Sequence, residues 1–314
     1  MRALVRSETG DLDTYDLKAD FELPPLDEGQ VLVKVFTTSV NPIDSLRRRI
    51  MLTVIGGPPD VFPVVDGYDL CGEVVRVGPG AEKFSVGQKV FGNMQRQPHR
   101  PQQFGAWAEY ANVYEDTIAA LPEGLDPAIA GCVGVTFGTC IEAVERSDPA
   151  STRSVLITGG AGGVGSAMVQ IAKHVLNSEF IAATASTSKV EEVGRIGANK
   201  VVDYKTTDLV QALEGNKFDF ILDTVGEGEK CLTLLAEDGK YVQLTGAAAR
   251  DPRATFLLHG GKTNYYERLS PYLASGKMKP IIHQVVPFAE YKRAIELAES
   301  GGTMGKIVME IARS

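Results

Sequence analysis

Residues 155–165 read Val-Leu-Ile-Thr-Gly-Gly-Ala-Gly-Gly-Val-Gly, an apolar run that stops at a glycine cluster. Apolar residues then recur at helical spacing, which predicts a strand, a tight turn and a helix in succession. Within this unit Gly160, Gly162 and Gly165 fit the pattern G-x-G-x-x-G. The first glycine permits the tight turn, the second lets backbone N–H groups approach a pyrophosphate, and the third lets the helix pack against the strand. The stretch therefore predicts a dinucleotide site at the start of a helix.

The composition predicts a globular protein of two domains, since the chain has 314 residues, 44% of them hydrophobic and 23% charged. The formal net charge is −8 and no basic run exceeds Arg47–Arg49, which argues against a nucleic-acid partner. We interpret this arginine triplet as a solvated loop or helix face. No apolar stretch is long enough to span a bilayer.

The four cysteines show no C-x-x-C pair, and their wide spacing predicts reduced thiols that act as small buried hydrophobes. The N-terminus opens into a strand-like run without a signal-peptide pattern. A cytoplasmic location is expected, with an organellar or membrane-peripheral location kept as the alternative.

The chain changes character near residue 125. Residues 1–125 carry strand-like runs bounded by glycine and proline, whereas strands and helices alternate from Asp126 onwards. The predicted strands are 154–158, 180–185, 200–203, 218–222, 240–245 and 254–259. The predicted helices are 164–176, 188–196, 207–213, 228–236, 263–275 and 288–299. This alternation predicts a doubly wound parallel α/β sheet.

The last residues predict a return to the first domain, ending in a strand at 306–311. The cleft between two such domains is the expected active site. The sequence around Thr255 to Leu258 is the expected edge of the parallel sheet, and pairing of such edges predicts a homodimer.

The end of the second predicted strand indicates which nicotinamide cofactor is bound. Proteins that bind NAD usually place an acid there for the ribose 2′-OH, whereas here Ser186 is followed by Thr-Ser-Lys and the next acid is Glu191. A carboxylate would repel a 2′-phosphate, while hydroxyls and an ammonium would bind it. Ser186 and Lys189 therefore predict NADPH. The alternative is that Ser186 caps the next helix and Lys189 is solvated.

Several further motifs, taken in order, resemble the zinc-independent quinone oxidoreductase branch of the medium-chain dehydrogenase/reductase superfamily. The resemblance covers nearly the whole chain. Its motifs are Asn41-Pro42-Ile43-Asp44, Gly67-Tyr68-Asp69-Leu70-Cys71-Gly72-Glu73-Val74, Phe84-Ser85-Val86-Gly87-Gln88-Lys89-Val90, Gly105-Ala106-Trp107-Ala108-Glu109-Tyr110, Gln170-Ile171-Ala172-Lys173, Gly197-Ala198 before Val202-Asp203-Tyr204, and Gly305-Lys306-Ile307-Val308.

The resemblance implies an α/β protein in which a β-rich GroES-like catalytic domain (1–125) is joined to a Rossmann NADPH-binding domain (126–260), with a return segment (261–314) completing the first. It implies hydride transfer from NADPH to quinones or α,β-unsaturated carbonyls. Together with the glycine motif, it gives the candidate cofactor-binding residues Asn41, Thr136, Gly160, Gly162, Gly163, Val164, Gly165, Ser186, Lys189, Tyr204, Val225, Gly226 and Lys306. The alternatives are a backbone-bonded helix hydroxyl for Thr136 and an ordinary half-buried aromatic for Tyr204.

Zinc alcohol dehydrogenases of the same superfamily are the nearest competitor, and they need thiolate and imidazole ligands. Gly67-Tyr68-Asp69 stands where they have Gly-His-Glu, and Asn41-Pro42 stands where their first cysteine falls. The histidines show no metal-ligand spacing; they are His99, His174, His259 and His283. We therefore predict no metal.

Two further features concern the substrate. Asp66 replaces an expected neutral residue, and it would either disfavour anionic substrates or lie in a solvated loop. The segment 46–60 lines the substrate side in relatives and carries no readable motif.

Without a metal, hydrogen-bond donors must stabilise the developing oxyanion. Asn41 and Tyr68 are the candidate catalytic residues, and the alternative for Tyr68 is a packing role. Two alternatives remain open at this point: an enoyl-thioester reductase, for which Arg47–Arg49 is the hint, and a non-catalytic NADPH-binding protein.

Overall fold

The computed structural model describes residues 1–50, 59–97, 103–147, 149–245 and 251–312. His99, most of the predicted substrate-side segment and part of the polar loop near residue 100 lie outside these ranges. The chain divides into two compact units. Unit 1 comprises Met1–Gly138 and His259–Ser314, and unit 2 comprises Thr139–Leu258.

Unit 1 begins with antiparallel strands. They are β1 (Ala3–Arg6), β2 (Tyr15–Lys18), β3 (Gln30–Ser39), β4 (Val64–Val65), β5 (Asp69–Val77), β6 (Lys89–Asn93), β7 (Tyr110–Tyr114) and β8 (Ile118–Ala120), with helices α1 (Pro42–Arg49) and α2 (Pro127–Ala130). The longest strand, β3, pairs with both β5 and β7 and buries Val31, Val33 and Val35 in the core. Alternate side chains of a strand point to the same face, so this valine spacing builds one apolar surface.

Unit 2 contains a six-stranded parallel sheet. Its elements are α3 (Gly134–Glu145, which starts in unit 1), β9 (Ser154–Thr158), α4 (Gly163–His174), β10 (Phe180–Ala185), α5 (Val190–Arg195), β11 (Lys200–Asp203), α6 (Leu209–Ala212), β12 (Phe218–Asp223), α7 (Gly228–Leu234), β13 (Leu235–Gln243) and β14 (Ala254–Phe256). The strand order is β11-β10-β9-β12-β13-β14, with every pair parallel. This is the predicted doubly wound order, and it reverses at β9, whose carboxyl end is therefore the expected ligand edge.

The chain then returns to unit 1 through α8 (Thr263–Ala274), β15 (Ile282–Pro287), α9 (Tyr291–Glu299) and β16 (Lys306–Glu310). Strand β16 pairs antiparallel with β3, with Val308 opposite Ser39. This pairing brings the start of β16 to the end of β3. None of the helices in the described ranges is both long and apolar enough to cross a membrane.

Most predicted elements have the expected bounds, and β13 is the clearest departure. It starts at Leu235 rather than at residue 240, and α7 ends at Leu234. The tripeptide Glu-Asp-Gly at 237–239 is typical of a turn. In the structure it lies within β13, at an irregularity in the pairing of β13 with β12. A side chain at Gly239 would lie 2.8 Å from the Phe218 carbonyl oxygen, so glycine permits this close approach.

The boundary of unit 1 lies beyond the predicted residue 125, at Gly138. The Thr37 hydroxyl donates to the Pro127 carbonyl at 2.6 Å, and the Val135 amide donates to the Asp69 carboxylate at 2.5 Å. These bonds tie α2 and the start of α3 to β3 and β5. A helix start in the sequence does not reveal which sheet the helix joins.

The interpretation of Arg47–Arg49 as a solvated face is wrong. Arg48 is 1% exposed and pairs with Glu299 at 2.7 Å, and Arg47 is 3% exposed. Only Arg49, with 53% of its side chain exposed, extends toward solvent, and it also pairs with Glu299. The helix turns Arg47 and Arg48 inward, where Asp60 and Glu299 pair with them.

Asp66 is likewise buried, contrary to both interpretations made from the sequence. It accepts hydrogen bonds from Arg6 Nε and from the Tyr15 hydroxyl, each at 2.6 Å. Arg6 and Arg47 both also pair with Asp60, at 2.5 and 2.8 Å. Burial opposes the charge of Arg6, yet the attraction of Asp66 and Asp60 holds the pKa of Arg6 above its ordinary value. We call Arg6, Arg47, Asp60 and Asp66 the buried charge network.

Replacing Asp66 with alanine would leave Arg6 short of a buried counter-charge. We expect the free energy of unfolding of unit 1 to fall by about 3–5 kcal/mol. Urea melts followed by the fluorescence of Trp107, the single tryptophan and a residue of unit 1, measure this loss. The matched control is Asp13→Ala, which breaks an exposed pair with Lys292 and should leave the urea midpoint unchanged. Equal midpoints for the two variants would contradict the expectation.

Candidate active site

The glycine loop of unit 2 follows β9, as predicted, but its tight turn lies one residue earlier than expected. Gly159, not Gly160, has a left-handed φ of +68°. The Gly159 amide donates to the Thr184 hydroxyl at 2.9 Å, and the Gly160 amide donates to the Thr184 carbonyl at 2.8 Å. A Cβ on Gly160 would lie 2.8 Å from Ala183 Cβ, so this glycine allows the loop to lie close against β10.

The other two motif glycines, Gly162 and Gly165, differ in their surroundings. A Cβ on Gly165 would lie 2.1 Å from the Gly159 carbonyl oxygen, so Gly165 lets α4 pack against the loop. A Cβ built on Gly162 would have a single neighbour within 4 Å, the same oxygen at 3.4 Å, and Gly162 has an ordinary φ of −73°. Neither strain nor crowding from the protein requires glycine at 162.

The N-terminus of α4 lies beside this open face. Gly162 is the N-cap of α4, and the first intrahelical bond runs from the Ser166 amide to the Gly162 carbonyl. The first turn of a helix, here Gly163 to Gly165, has no earlier carbonyls within the helix to bond. Such N–H groups and the helix dipole favour an anion. The loop therefore fits the pyrophosphate of a dinucleotide.

The carboxyl end of β12 is organised by Asp223, a residue that motif reasoning did not select. Its Oδ1 accepts from the Thr158 hydroxyl at 2.6 Å and from the Gly226 amide at 2.8 Å, and its Oδ2 accepts from the Tyr241 hydroxyl at 2.7 Å. This carboxylate fixes the loop after β12, where Val225 is 55% exposed. An acid at the end of a buried apolar strand was the available signal.

The predicted ribose end of the site lies at the carboxyl ends of β10 and β11. Ser186 makes no side-chain capping bond, which removes the alternative role considered for it. Lys189 ends the short helical turn that Ser186 begins. Tyr204 is 57% exposed rather than half-buried, and its amide donates to the Ala185 carbonyl at 3.1 Å. The structure thus places Ser186, Lys189 and Tyr204 at one sheet edge.

The same edge carries an acid that the sequence argument did not weigh. Asp203 ends β11 opposite Ala185 of β10. A hydrogen bond from the Thr187 hydroxyl lowers the pKa of Asp203, so its carboxylate is charged at neutral pH. The acid expected on the second strand of an NAD-binding sheet is absent, but a neighbouring strand supplies one close by.

In unit 1, Asn41 and Lys306 lie together although they are far apart in sequence. Lys306 Nζ donates to the Asn41 side-chain oxygen and, at 2.7 Å, to the Val40 carbonyl. Asn41 Nδ2 donates to Asp69 Oδ2 at 2.8 Å. The carboxylate also accepts from the Ser39 hydroxyl. The sequence analysis missed the positions of Asp69 and Ser39 in this cluster.

Tyr68 is 5% exposed. Burial raises the pKa of its phenol, and the nearby Arg47 guanidinium acts in the opposite direction without cancelling this effect. The phenol is therefore protonated at neutral pH and can donate a hydrogen bond.

Thr136 is 2% exposed, and its hydroxyl donates to the Cys132 carbonyl at 2.7 Å within the helical region. This bond to the backbone is the alternative role that the sequence analysis gave for Thr136. Its hydroxyl oxygen keeps acceptor capacity.

The cysteines have the predicted character, since all four are free and buried. Burial raises the pKa of the Cys71 and Cys132 thiols to about 12, so neither is a thiolate at neutral pH. Across the described parts of the chain, no three His, Cys, Asp or Glu side chains form a group that could hold a metal ion.

The chain is 36% identical to the 2-methylene-furan-3-one reductase of Solanum lycopersicum, over 98% of this chain and 79% of that protein. It is 35% identical, over the same shares, to the chloroplastic NADPH-dependent alkenal/one oxidoreductase of Arabidopsis thaliana. The chain belongs to the quinone oxidoreductase-like branch of the medium-chain dehydrogenase/reductase superfamily.

Two family models and a solved structure support this membership. The alcohol dehydrogenase GroES-like domain matches residues 27–123, and a family described as zinc-binding dehydrogenase matches residues 196–309. The quinone oxidoreductase from Coxiella burnetii superposes with a TM-score of 0.86 at 26% identity, over 99% of both chains. The predicted fold, a Rossmann sheet with a β-rich GroES-like domain, is confirmed.

The close approach at Gly165 gives a direct test of the glycine loop. Gly165→Ala forces a Cβ against the Gly159 carbonyl, so we expect a lower melting temperature and at least a tenfold weaker nucleotide affinity, which corresponds to about 1.4 kcal/mol. The matched control is Gly194→Ala in α5, where nothing lies within 4 Å of the added Cβ. Nucleotide titration and thermal melts of both variants check this. Unchanged binding by Gly165→Ala would refute the packing role.

Proposed function

We propose that this protein is an NADPH-dependent reductase of α,β-unsaturated carbonyls or quinones, with unit 2 binding the nucleotide and unit 1 supplying the catalytic groups. The observation that carries the proposal is the similarity, over 98% of the chain, to two relatives whose names state reduction of such carbonyls. The open face at Gly162 beside the N-terminus of α4 supports it, because a dinucleotide pyrophosphate fits there.

A bound reduced nicotinamide would supply the hydride to the acceptor carbon. The protein must then hold the acceptor in place, exclude water and stabilise the oxygen that gains charge. The protonated phenol of Tyr68 and the side-chain amide of Asn41 are the donors proposed for that oxygen. Val225 and Gly226, in the loop that Asp223 fixes, are proposed to lie against the nucleotide.

We also propose that the reaction needs no zinc, although one matching family is described as zinc-binding. Asn41, Tyr68 and Asp69 occupy the positions that supply zinc ligands in other members, and they include neither thiolate nor imidazole. Asp69 is already engaged by three hydrogen bonds, and the Lys306 ammonium lies 3.6 Å from its Oδ2. A cation beside an ammonium is electrostatically disfavoured.

The preference for NADPH over NADH rests on Ser186, Lys189 and Tyr204 at the ribose end. The ammonium of Lys189 and the hydroxyl of Ser186, which makes no capping bond, favour a 2′-phosphate. Asp203 acts against it, because its charged carboxylate at the same edge repels a phosphate. We expect the cation and hydroxyls to prevail, since Asp203 already accepts bonds from the Thr187 hydroxyl and, at 3.0 Å, from the Lys205 amide.

Steady-state assays with NADPH and with NADH test both the activity and the cofactor. Wild-type protein should oxidise NADPH in the presence of an ortho-quinone or a short enone. Lys189→Ala should raise the KM for NADPH about tenfold and leave the KM for NADH within about twofold, since only NADPH carries the 2′-phosphate. Lys230→Ala, which breaks an exposed pair with Glu227, is the control. A wild-type preference for NADH would contradict the cofactor assignment.

The role of Tyr68 is tested by Tyr68→Phe, which removes the donor and keeps the ring. We expect kcat for an enone to fall about tenfold with the KM for NADPH unchanged, because the lost bond acts on the acceptor oxygen. The control is Tyr272→Phe on α8. Turnover at the wild-type rate would remove Tyr68 from the mechanism.

The two alternatives are less well supported. The only sequence hint of a thioester reductase was Arg47–Arg49, and two of these arginines are buried in ion pairs. An enoyl thioester belongs in the same assay panel. A non-catalytic binding protein would bind NADPH and turn over no acceptor.

A homodimer remains our proposal. Strand β14 is at the edge of the parallel sheet, and Phe256 on it is 38% exposed, so a second copy could extend the sheet. A reduced, cytosol-like compartment is proposed from the four free, buried cysteines. An organellar location stays the alternative, since the Arabidopsis relative is named as chloroplastic.

A further inference from the structure

The side chain of Asn41 is held at both of its polar atoms by buried charged groups. Its Oδ1 accepts from Lys306 Nζ, and its Nδ2 donates to Asp69 Oδ2 at 2.8 Å. A carboxamide has one oxygen and two N–H hydrogens, so these bonds fix its orientation and leave a single N–H. With Asn41 1% exposed, a rotation of the amide would have to break this buried arrangement.

The ammonium of Lys306 is engaged by the protein itself. Besides Asn41, Nζ donates to the Val40 carbonyl at 2.7 Å and lies 3.6 Å from Asp69 Oδ2. An ammonium has three hydrogens; the Asn41 and Val40 oxygens take two of them, and Asp69 lies at ion-pair distance rather than hydrogen-bond distance. Direct contact of Lys306 with the cofactor, which the sequence analysis expected, stays a prediction.

The carboxylate of Asp69 is also held in place, by three hydrogen bonds. It is fully buried, and its Oδ2 accepts from the Ser39 hydroxyl as well as from Asn41. Its Oδ1 accepts from the Val135 amide at 2.5 Å. The carboxylate therefore joins the end of β3 to the start of α3, and it cannot turn away from Asn41 without losing several bonds.

We propose that Lys306 and Asp69 are positioning residues that lock the Asn41 carboxamide, so that Asn41 meets its ligand as a hydrogen-bond donor. The inference rests on the proposed function for the identity of that ligand group, the carbonyl oxygen of an enone or quinone. The ammonium at Oδ1 polarises the amide and strengthens the remaining N–H as a donor to an oxygen that gains negative charge. A free Asn41 could equally present its oxygen, which would repel such a group.

The side-chain amide signals of Asn41 report the orientation without any turnover. In uniformly ¹⁵N-labelled full-length protein, the Asn41 amide pair is the one lost in Asn41→Ala. We expect Lys306→Met to shift this pair, because Oδ1 loses its partner. Lys292→Met, at an exposed lysine paired with Asp13, should leave it in place. An Asn41 pair at its wild-type position in Lys306→Met would overturn the proposal.

A second variant covers the case in which Lys306→Met fails to fold. Asp69→Asn keeps the volume, removes the charge and should likewise shift the Asn41 pair. Thermal melts of each variant identify any general loss of structure. An unshifted pair in folded Asp69→Asn would refute the role of the carboxylate.

Kinetics separate positioning from direct contact. Lys306→Met should lower kcat for NADPH-dependent enone reduction about tenfold, the loss of one charge-assisted bond. In an Asn41→Ala background the same substitution should change kcat by less than about twofold, because Lys306 acts through Asn41. Effects that multiply would instead assign Lys306 to the ligand. A wild-type enzyme that reduces no acceptor would refute the proposed function, while the amide signals would still decide the positioning role.

Discussion

The antiparallel ladder of β16 against β3 is the interaction on which the catalytic groups of unit 1 depend. Val308 lies opposite Ser39, and the Val40 amide donates to the Ile307 carbonyl at 3.1 Å. This ladder, formed by segments more than 260 residues apart, delivers Lys306 to Asn41. A backbone ladder holds its register firmly where one face is buried, because a slip by one residue would turn every side chain to the other face. The pairing of β16 with β3 therefore fixes the position of Lys306 relative to Asn41.

Unit 1 buries several charged side chains, and two groups of them hold its strands and first helix together. The buried charge network joins two arginines to two carboxylates. In the second group, the ammonium of Lys306 lies beside the carboxylate of Asp69. Buried ion pairs contribute little net stability, but each becomes costly when one partner is missing. Separating β1, α1 or β16 from these partners would leave a buried charge unpaired.

The sequence analysis was most successful where chemistry is local. The strand, glycine loop and helix from Ser154 to His174 follow from hydrophobic period and from residues without a Cβ, and both signals lie within a short window. It was least successful for charged side chains, as Arg47 and Asp66 show. Their solvation depends on partners distant in sequence, and a charged residue in a single sequence is read as exposed by default. The sequence analysis also missed Asp203 as a neighbour of Ser186. Pairing of β10 with β11 is what brings the ends of these two strands together.

The two units differ in that one is formed by a single continuous segment of the chain and the other by two separate segments. Unit 2 is continuous, from Thr139 to Leu258, whereas unit 1 needs both Met1–Gly138 and His259–Ser314. On the ribosome, the parallel sheet can therefore close while β3 still lacks β16 at its edge. Until β16 emerges, the nascent chain has one complete unit and one open, partly apolar sheet edge. An edge of that kind pairs readily with other chains. The same discontinuity that brings Lys306 to Asn41 thus leaves an edge of unit 1 unpaired during synthesis of residues 259–314, a stage at which aggregation competes with folding.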